Sequence, residues 1–97
     1  MLEPITSGTQ SQIKAIEKMC RDRLDRNPFD LDAMFTLAAV MARTGDIELA
    51  IDMVEGLLAV NPEYPGGMRL LAKLHKMQGN DEKWKEYMEM AATLSEV

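Results

Sequence analysis

Residues 27–46 read NPFDLDAMFTLAAVMARTGD, and residues 61–80 read NPEYPGGMRLLAKLHKMQGN. The two stretches align without a gap at a spacing of 34 residues, with Asn-Pro at the start of each and a glycine near the end of each. Extending the alignment to residues 28–61 against 62–95 gives seven identities, most of them at turns or on an apolar stripe. A repeat of roughly 20 to 50 residues is the sequence signature of a solenoid or a related array. The sequence therefore predicts a repeat protein.

Each repeat predicts a pair of antiparallel helices. Over residues 30–43 the apolar residues follow the i, i+3, i+4, i+7 spacing of one buried helical face, and they are Met34, Leu37, Ala38 and Met41. Gly45 follows, and glycine accepts the left-handed conformation that helix C-termini often adopt. Residues 47–60 predict a second helix that ends before Asn61, with Ala50, Val54, Leu57 and Leu58 as its buried residues.

The second repeat, residues 62–95, follows the same plan. Pro65 opens its first helix, where the missing N–H costs nothing, and Gly79 ends that helix. The predicted buried residues are Met68, Leu71, Ala72 and His75 on the first helix and Trp84, Met88 and Ala91 on the last helix, residues 81–95. Asp30 and Asp81 are candidate N-caps for two of the helices, because their side chains can accept bonds from the first free amides.

One more helix, residues 10–26, is predicted before the first repeat. Its apolar stripe consists of Ile13, Ile16, Cys20 and Leu24. Thr9 and Gln12 resemble a capping box at its start, which leaves residues 1–9 as a flexible N-terminus. A shift of 34 residues aligns this helix with residues 47–60, so it corresponds to the second half of a repeat.

With two full repeats and a half repeat, residues 10–95 resemble a tetratricopeptide repeat protein. That family has helix–turn–helix units of 34 residues, with Leu and a small residue on the first helix, Gly at the turn, Ala on the second helix and Pro at the end. The matching residues are Leu37, Ala38, Gly45, Ala50 and Pro62 in the first repeat and Leu71, Ala72 and Gly79 in the second. The predicted fold is all-α: a short α-solenoid of five helices, about two and a half units, in residues 10–97.

The resemblance implies a non-catalytic protein–protein interaction module, such as an adaptor, assembly factor or chaperone-like protein. In the family, the first helices of successive units line a concave groove that binds a peptide or partner helix. By that placement, the groove residues here are Phe35, Ala39, Arg43, Gly66, Arg69, Lys73 and Lys76.

A basic stripe marks one wall of this predicted groove. Arg69, Lys73 and Lys76 recur at i, i+4, i+7 and share one helical face, and residues 65–77 contain no acid. Cationic groups on a groove wall suit an acidic peptide or a C-terminal carboxylate, through charge-assisted hydrogen bonds. An ordinary solvated, lysine-rich face is the alternative interpretation of the same pattern.

The ends of the array suggest a second functional hypothesis. Solenoids usually contain at least three units and a polar capping element, whereas this sequence has two and a half units and no separate cap. The pattern is typical of a piece of a longer array or of a chain that self-associates. In the second case, the exposed last helix would carry the interface through Trp84 and Tyr87.

Composition restricts the partners and the compartment. The net charge of −5 argues against non-specific binding to nucleic acid or an anionic membrane surface. No stretch approaches the ~18 apolar residues of a membrane span, and the N-terminal residues lack the pattern of an export signal. The single cysteine, Cys20, is compatible with a reducing compartment, so a cytoplasmic location is predicted. A mature exported chain would have the same composition.

No constellation of residues predicts catalysis or a cofactor. The PGGM sequence at residues 65–68 lacks the Lys and Ser/Thr of a phosphate-binding loop. Cys20 and His75 are single residues on helical stripes and are interpreted as packed, not as a nucleophile pair. One His and one Cys cannot fill a tetrahedral metal site without carboxylates. We therefore expect no catalytic, cofactor-binding or metal-binding residues.

Overall fold

The structure is a computed structural model that describes residues 5–95, with the side chains of residues 9–94. Five helices follow one another: α1 (Ile5–Arg26), α2 (Leu31–Thr44), α3 (Ile47–Val60), α4 (Gly67–Met77) and α5 (Asp81–Ser95). Each helix packs against the next, α2 also contacts α4, and α1 does not pack against α3. The predicted all-α fold with five helices is confirmed, and the described part of the chain contains no strand.

The same kind of turn leads into the first helix of each repeat. The side-chain oxygen of Asn27 accepts a hydrogen bond from the Phe29 N–H at 3.0 Å. Asn61 accepts the corresponding bond from the Glu63 N–H, also at 3.0 Å. Asparagine is favoured at such positions because its side chain satisfies an amide two residues further on. These two Asx-turns are the structural counterpart of the repeated Asn-Pro.

The first helix of each repeat also ends in the same way. Gly45 has a φ of +94° and Gly79 a φ of +81°, both in the left-handed region. The amides of Gly45 and Asp46 donate to the last turn of α2 at 3.3 and 2.9 Å. The amides of Gly79 and Asn80 donate to the last turn of α4 at 2.9 Å each. Both sets of bonds form a Schellman motif, so the predicted glycine termini are confirmed.

The core follows the contacts between neighbouring helices and is built mainly from leucine and alanine. The largest fully buried side chains are Leu37, Leu57, Leu71, Leu74 and Val54. Burying a side chain of this size contributes roughly 1.5–3 kcal/mol relative to leaving it exposed. Four alanines have no exposed surface, which allows neighbouring backbones to approach closely: Ala33, Ala38, Ala50 and Ala72. Leu74 was not among the predicted core residues.

The buried face of α5 differs from the predicted one. Ala91 is buried and Trp84 is half-buried, as expected, but Met88 is 36% exposed. Tyr87 packs against the core in its place. One residue corresponds to about 100° of rotation around a helix, so the face toward α4 contains positions 84, 87, 91 and 94.

α1 is longer than predicted. It begins at Ile5, so the segment Ile5–Thr9 is helical and Thr9 lies inside the helix, not at its N-cap. The helix can extend to Ile5 because no proline interrupts the chain between Ile5 and Arg26. Ser, Thr and Gly have a weak helix propensity, but it disfavours the helix only slightly. The rest of the predicted flexible N-terminus, residues 1–4, lies outside the described residues.

α4 begins at Gly67, two residues later than predicted, because Pro65 belongs to a turn. The Gly67 N–H donates to the Tyr64 carbonyl at 2.9 Å, and Gly66 has a φ of +81° and a ψ of −5°. This is a type II turn, which places Pro second and requires a positive φ at the third position. A Cβ on Gly67 would lie 2.7 Å from Leu58 Cδ2, so this glycine permits close packing of α4 on α3.

Two polar side chains, Asp30 and Asn80, cap the N-termini of α2 and α5. Asp30 caps α2 as predicted, since its carboxylate accepts the Ala33 N–H at 3.1 Å. The Arg23 guanidinium donates to the same carboxylate at 2.9 and 3.0 Å. The backbone bond, followed by the Arg23 bonds, lowers the pKa of Asp30. In α5 the cap is Asn80, which accepts a backbone amide of the first turn at 3.2 Å, and Asp81 is the first helical residue.

Candidate functional site

A shallow apolar groove lies between α2 and α4, toward the C-terminal ends of both helices. Its volume is about 220 Å³, and it is lined by Ala39, Ala42, Arg43, Leu70, Lys73, Leu74 and Met77. The small alanines of α2 leave space above them, and Met77 is 51% exposed. Three residues of the predicted partner groove, Ala39, Arg43 and Lys73, are brought together here.

The size of this groove restricts what can bind in it. Sites for drug-sized ligands usually enclose ~300–1,000 Å³, and this groove of about 220 Å³ is smaller. It has room for one or two apolar side chains. A peptide or a partner helix could supply such side chains while the rest of its surface stays in solvent.

Arg43 and Lys73 stand exposed beside the apolar lining, and neither forms an ion pair with any residue between 9 and 94. Arg43 is in the last turn of α2, where the helix dipole favours a cation. Lys73 is in the middle of α4, where the dipole has little effect. Local helix electrostatics therefore explain Arg43 but not Lys73.

The N-terminal end of the predicted groove is occupied by aromatic packing. The rings of Phe35 and Tyr64 have centroids 5.2 Å apart at an interplanar angle of 41°. A Cβ on Gly66 would lie 3.5 Å from the Phe35 ring. Gly66 itself is exposed, serves the type II turn and lines the hollow beside α5, outside the groove between α2 and α4.

A hydrogen bond fixes the turn between α3 and α4 to the first turn of α2. The Tyr64 hydroxyl donates to the Asp32 carboxylate. Burial of the phenol and this hydrogen bond raise the pKa of Tyr64 to about 12. The two repeats are thus joined by a polar contact as well as by apolar packing.

The basic stripe of α4 is divided between different neighbours. Lys73 lines the groove beside α2, whereas Arg69 lines a second hollow of about 300 Å³ beside the C-terminal half of α5. The Lys76 Nζ lies 4.1 Å from the centroid of the Trp84 ring and 3.8 Å from an Asp81 oxygen. The three cations of the predicted groove wall therefore have different surroundings: Lys73 lies beside α2, whereas Arg69 and Lys76 lie beside α5.

The two residues of the predicted terminal interface are partly covered. Trp84 is half-buried and lies beneath the Lys76 ammonium. Tyr87 is half-buried, and its ring stacks on the buried His75 ring with centroids 5.5 Å apart at 8°. Tyr87 thus contributes to the packing of α5 on α4, which leaves it little surface for an outside partner.

Cys20 and His75 are both buried. Burial raises the pKa of the Cys20 thiol, which disfavours the nucleophilic thiolate. His75 packs between α4 and α5, and neither of its ring nitrogens has a hydrogen-bond partner in the described part of the chain. Both residues lie where the interpretation as packed side chains placed them.

The sequence analysis did not place Leu70 and Leu74 in the groove. They recur with Met77 at i, i+4, i+7, which is a second apolar stripe on α4 beside the one that faces α5. That spacing was the available signal, since one helix with two apolar stripes has a neighbour on each side.

Comparison with known proteins leaves the family open. No family model matches the chain, and no curated protein matches it. Within residues 9–94, no group of His, Cys, Asp or Glu is arranged to hold a metal ion. None of the described helices is both long enough and apolar enough to cross a membrane.

Proposed function

We propose that the chain is a non-catalytic protein–protein interaction module of the tetratricopeptide repeat type, acting as an adaptor, assembly factor or chaperone-like protein. Its ligand is an acidic peptide or partner helix that binds in the groove between α2 and α4. The observation that carries this proposal is the apolar groove flanked by Arg43 and Lys73, two cations without an ion-pair partner among residues 9–94.

The groove offers two different interactions at adjacent points. An apolar side chain of the ligand would bury surface against the aliphatic lining, which contributes roughly 25 cal/mol per Å² removed from water. A neighbouring carboxylate would reach the Arg43 guanidinium or the Lys73 ammonium through charge-assisted hydrogen bonds. Because the two cations flank the apolar lining, the order of apolar and acidic residues in the ligand determines whether both interactions form.

The same features predict a weak and selective interaction. One or two apolar anchors and a few exposed charge contacts support dissociation constants on the order of 10–100 μM, after the entropic cost of association. The charge contacts weaken with salt, since the Debye length is about 8 Å at physiological ionic strength. Nucleic acid is an unsuitable ligand for a chain of net charge −5.

A short random peptide library displayed on phage tests the proposal. Selection on the wild-type chain should enrich peptides with one or two large apolar residues next to Asp or Glu. Synthetic versions of these peptides should shift the amide resonances of Ala39, Ala42 and Met77 in a heteronuclear NMR titration. Arg43→Glu with Lys73→Glu should weaken their binding at least about tenfold, while circular dichroism shows unchanged helicity.

A matched control uses one cation of α4 and one of α5, both of which lie outside the groove. Arg69→Glu with Lys85→Glu changes the net charge by the same amount and should leave peptide binding within about twofold, because long-range effects of exposed charges are screened. No enrichment of acidic, apolar peptides, or equal weakening by the two double variants, would refute the assigned groove.

The proposal assigns no catalytic residue to the chain. It places the chain in a reducing compartment such as the cytoplasm. The compartment is supported by the single thiol, Cys20, which is buried and free. Labelling of purified protein with a thiol reagent should be slow until the chain is denatured. Rapid labelling of the folded chain would contradict the buried position of this thiol.

A further inference from the structure

Four methionines among residues 9–94 have exposed side chains: Met19, Met77, Met88 and Met90. Met77 is the one of these four that lines the groove between α2 and α4. It is the last residue of α4 and is 51% exposed. By contrast, Met41 of α2 is only 6% exposed and belongs to the core. The side chain of Met77 is therefore part of the proposed binding surface and is also open to solvent.

An exposed thioether can be oxidised by a peroxide to the sulfoxide. The sulfur attacks one oxygen of hydrogen peroxide, so that an S–O bond forms as the O–O bond breaks. The proton of the transferred oxygen passes to the departing hydroxide, which leaves as water. The sulfur loses two electrons and the peroxide gains them. A flexible apolar side chain thereby becomes a polar one that accepts hydrogen bonds.

Oxidation of Met77 changes the apolar side of the groove. Leu70, Leu74 and Met77 form its aliphatic lining on α4, and the sulfoxide places a polar oxygen at the end of this lining. An apolar side chain of a ligand that covers the sulfoxide removes a polar group from water without giving it a hydrogen bond. Burial of this kind is unfavourable, so the oxidised groove should reject the apolar part of the ligand.

Two cations of the groove are available to the new oxygen. Lys73 precedes Met77 by four residues, and side chains at this spacing are neighbours on a helix surface. Arg43 lines the same groove from α2. Neither cation forms an ion pair within residues 9–94, so both can donate a hydrogen bond to the sulfoxide. A carboxylate of the ligand then competes with that oxygen for the same donors.

We propose that Met77 is a reversible oxidation site whose sulfoxide prevents ligand binding in the groove between α2 and α4. This inference rests on the proposed function, because the oxygen blocks the apolar contact and engages the cations that hold the acidic ligand. Reversal requires a methionine sulfoxide reductase and a dithiol, which becomes a disulfide as the oxygen leaves in water. A reducing compartment keeps such thiols reduced.

The modification should leave the fold intact. The hydrogen bonds that end α4 are donated by the backbone amides of Gln78, Gly79 and Asn80 to backbone carbonyls, so they do not involve the sulfur of Met77. The half-exposed side chain can keep its new oxygen in contact with solvent when no ligand is bound. Oxidation therefore acts on binding and not on stability.

Peroxide treatment of the wild-type chain tests the proposal. Peptide mapping by mass spectrometry should show that mild hydrogen peroxide oxidises Met77 and Met19 well before Met41, in line with their exposure. Complete oxidation of Met77 should weaken the binding of a phage-selected acidic, apolar peptide about tenfold, while circular dichroism shows unchanged helicity. Sulfoxide reductases of both stereospecificities, with dithiothreitol, should restore the affinity.

Two variants assign the effect to one sulfur, with the affinity of each chain compared before and after peroxide. Met77→Leu retains Cys20 and the other methionines, and its affinity should not respond to peroxide. The chain with Met19→Leu, Met88→Leu and Met90→Leu should respond like wild type. Loss of binding by peroxide-treated Met77→Leu, or an unchanged wild-type affinity after complete oxidation of Met77, would overturn the proposal.

A measurement without ligand separates this inference from the proposed function. The NMR signals of the Arg43 and Lys73 side-chain nitrogens should shift when Met77 is oxidised, and peroxide should leave them unshifted in Met77→Leu. Oxidation that shifts neither signal would refute the contact with the sulfoxide. A reduced chain that binds none of the selected peptides would refute the proposed function and the regulation with it, whereas equal binding before and after oxidation refutes the regulation alone.

Discussion

Gly45→Ala and Gly79→Ala are expected to destabilise the fold by the same amount. Both glycines have a positive φ, and a Cβ added to either would have nothing within 4 Å. The added methyl group therefore meets no neighbour, and the effect comes from the backbone conformation alone. Because the two Schellman motifs share their hydrogen-bond pattern, the two substitutions test whether the repeats are equivalent in energy.

The expected magnitude follows from two opposing terms. A left-handed conformation destabilises the folded state of an L-residue by roughly 1–2 kcal/mol. Alanine also lowers the conformational entropy of the unfolded chain, which stabilises the fold by about 0.4–1 kcal/mol. The net loss is about 1 kcal/mol for each variant. With an unfolding entropy of about 2.1 cal/mol/K per residue, a chain of 97 residues should lose about 5 °C in Tm.

Urea and thermal denaturation followed by circular dichroism measure this loss. Gly56→Ala is the matched control: this glycine is exposed in the middle of α3, and its Cβ would lie 3.5 Å from Met34 Cε, an ordinary contact. It should raise stability by about 0.5–1 kcal/mol, because alanine favours the helix interior. Neutral effects at Gly45 and Gly79, or a difference between them above about 0.5 kcal/mol, would refute the reasoning.

Three further outcomes concern packing and ionisation. Leu74→Ala removes a fully buried side chain and should cost about 3 kcal/mol, whereas Leu70→Ala, half-buried in the groove, should cost about 1 kcal/mol in urea denaturation. The pKa of Tyr64, about 12, favours the neutral phenol in the fold, so its stabilisation is complete below pH 10 and is lost as pH rises toward 12. Ultraviolet titration should show one tyrosine ionising near pH 12, and Tyr64→Phe should remove it. Because the pKa of Asp30 is lowered in the fold, its ionised carboxylate stabilises the folded state at pH values above 3.8, the pKa of the unfolded chain. This stabilisation is lost as the pH falls below 3.8, so the urea midpoints of wild type and Asp30→Asn should converge there.

Features encoded by local chemistry were predicted correctly from the sequence. The bounds of α3 and α5 follow from Gly45, Gly79 and the Asn-Pro at 61–62, since each signal acts on its own neighbours in the chain. The start of α4 was not predicted, because Pro65 was interpreted as the first helical residue and not as the second residue of a type II turn with Gly66 at its third position. A proline is compatible with both positions, and the turn moves the first helical residue to Gly67.

The surroundings of the predicted groove residues could not be read from the sequence, because they are set by packing against other helices. Helical periodicity places Arg69, Lys73 and Lys76 on one face, but it does not reveal which helices cover the edges of that face. Asp81 and Trp84 of α5 engage Lys76, while Lys73 faces α2. Residue spacing predicts which side chains share one face of a helix. The neighbouring helices determine which of those side chains remain accessible to a ligand.

The contacts of this fold are almost entirely between consecutive helices, with only α2 and α4 meeting across one intervening helix. In such an assembly, each helix is stabilised mainly by its neighbours in the sequence and not by one central core. When the two ends are pulled apart, the outer helices can detach one at a time without breaking the central packing. Under an applied force, the chain is therefore expected to unfold through several small extension steps at low force.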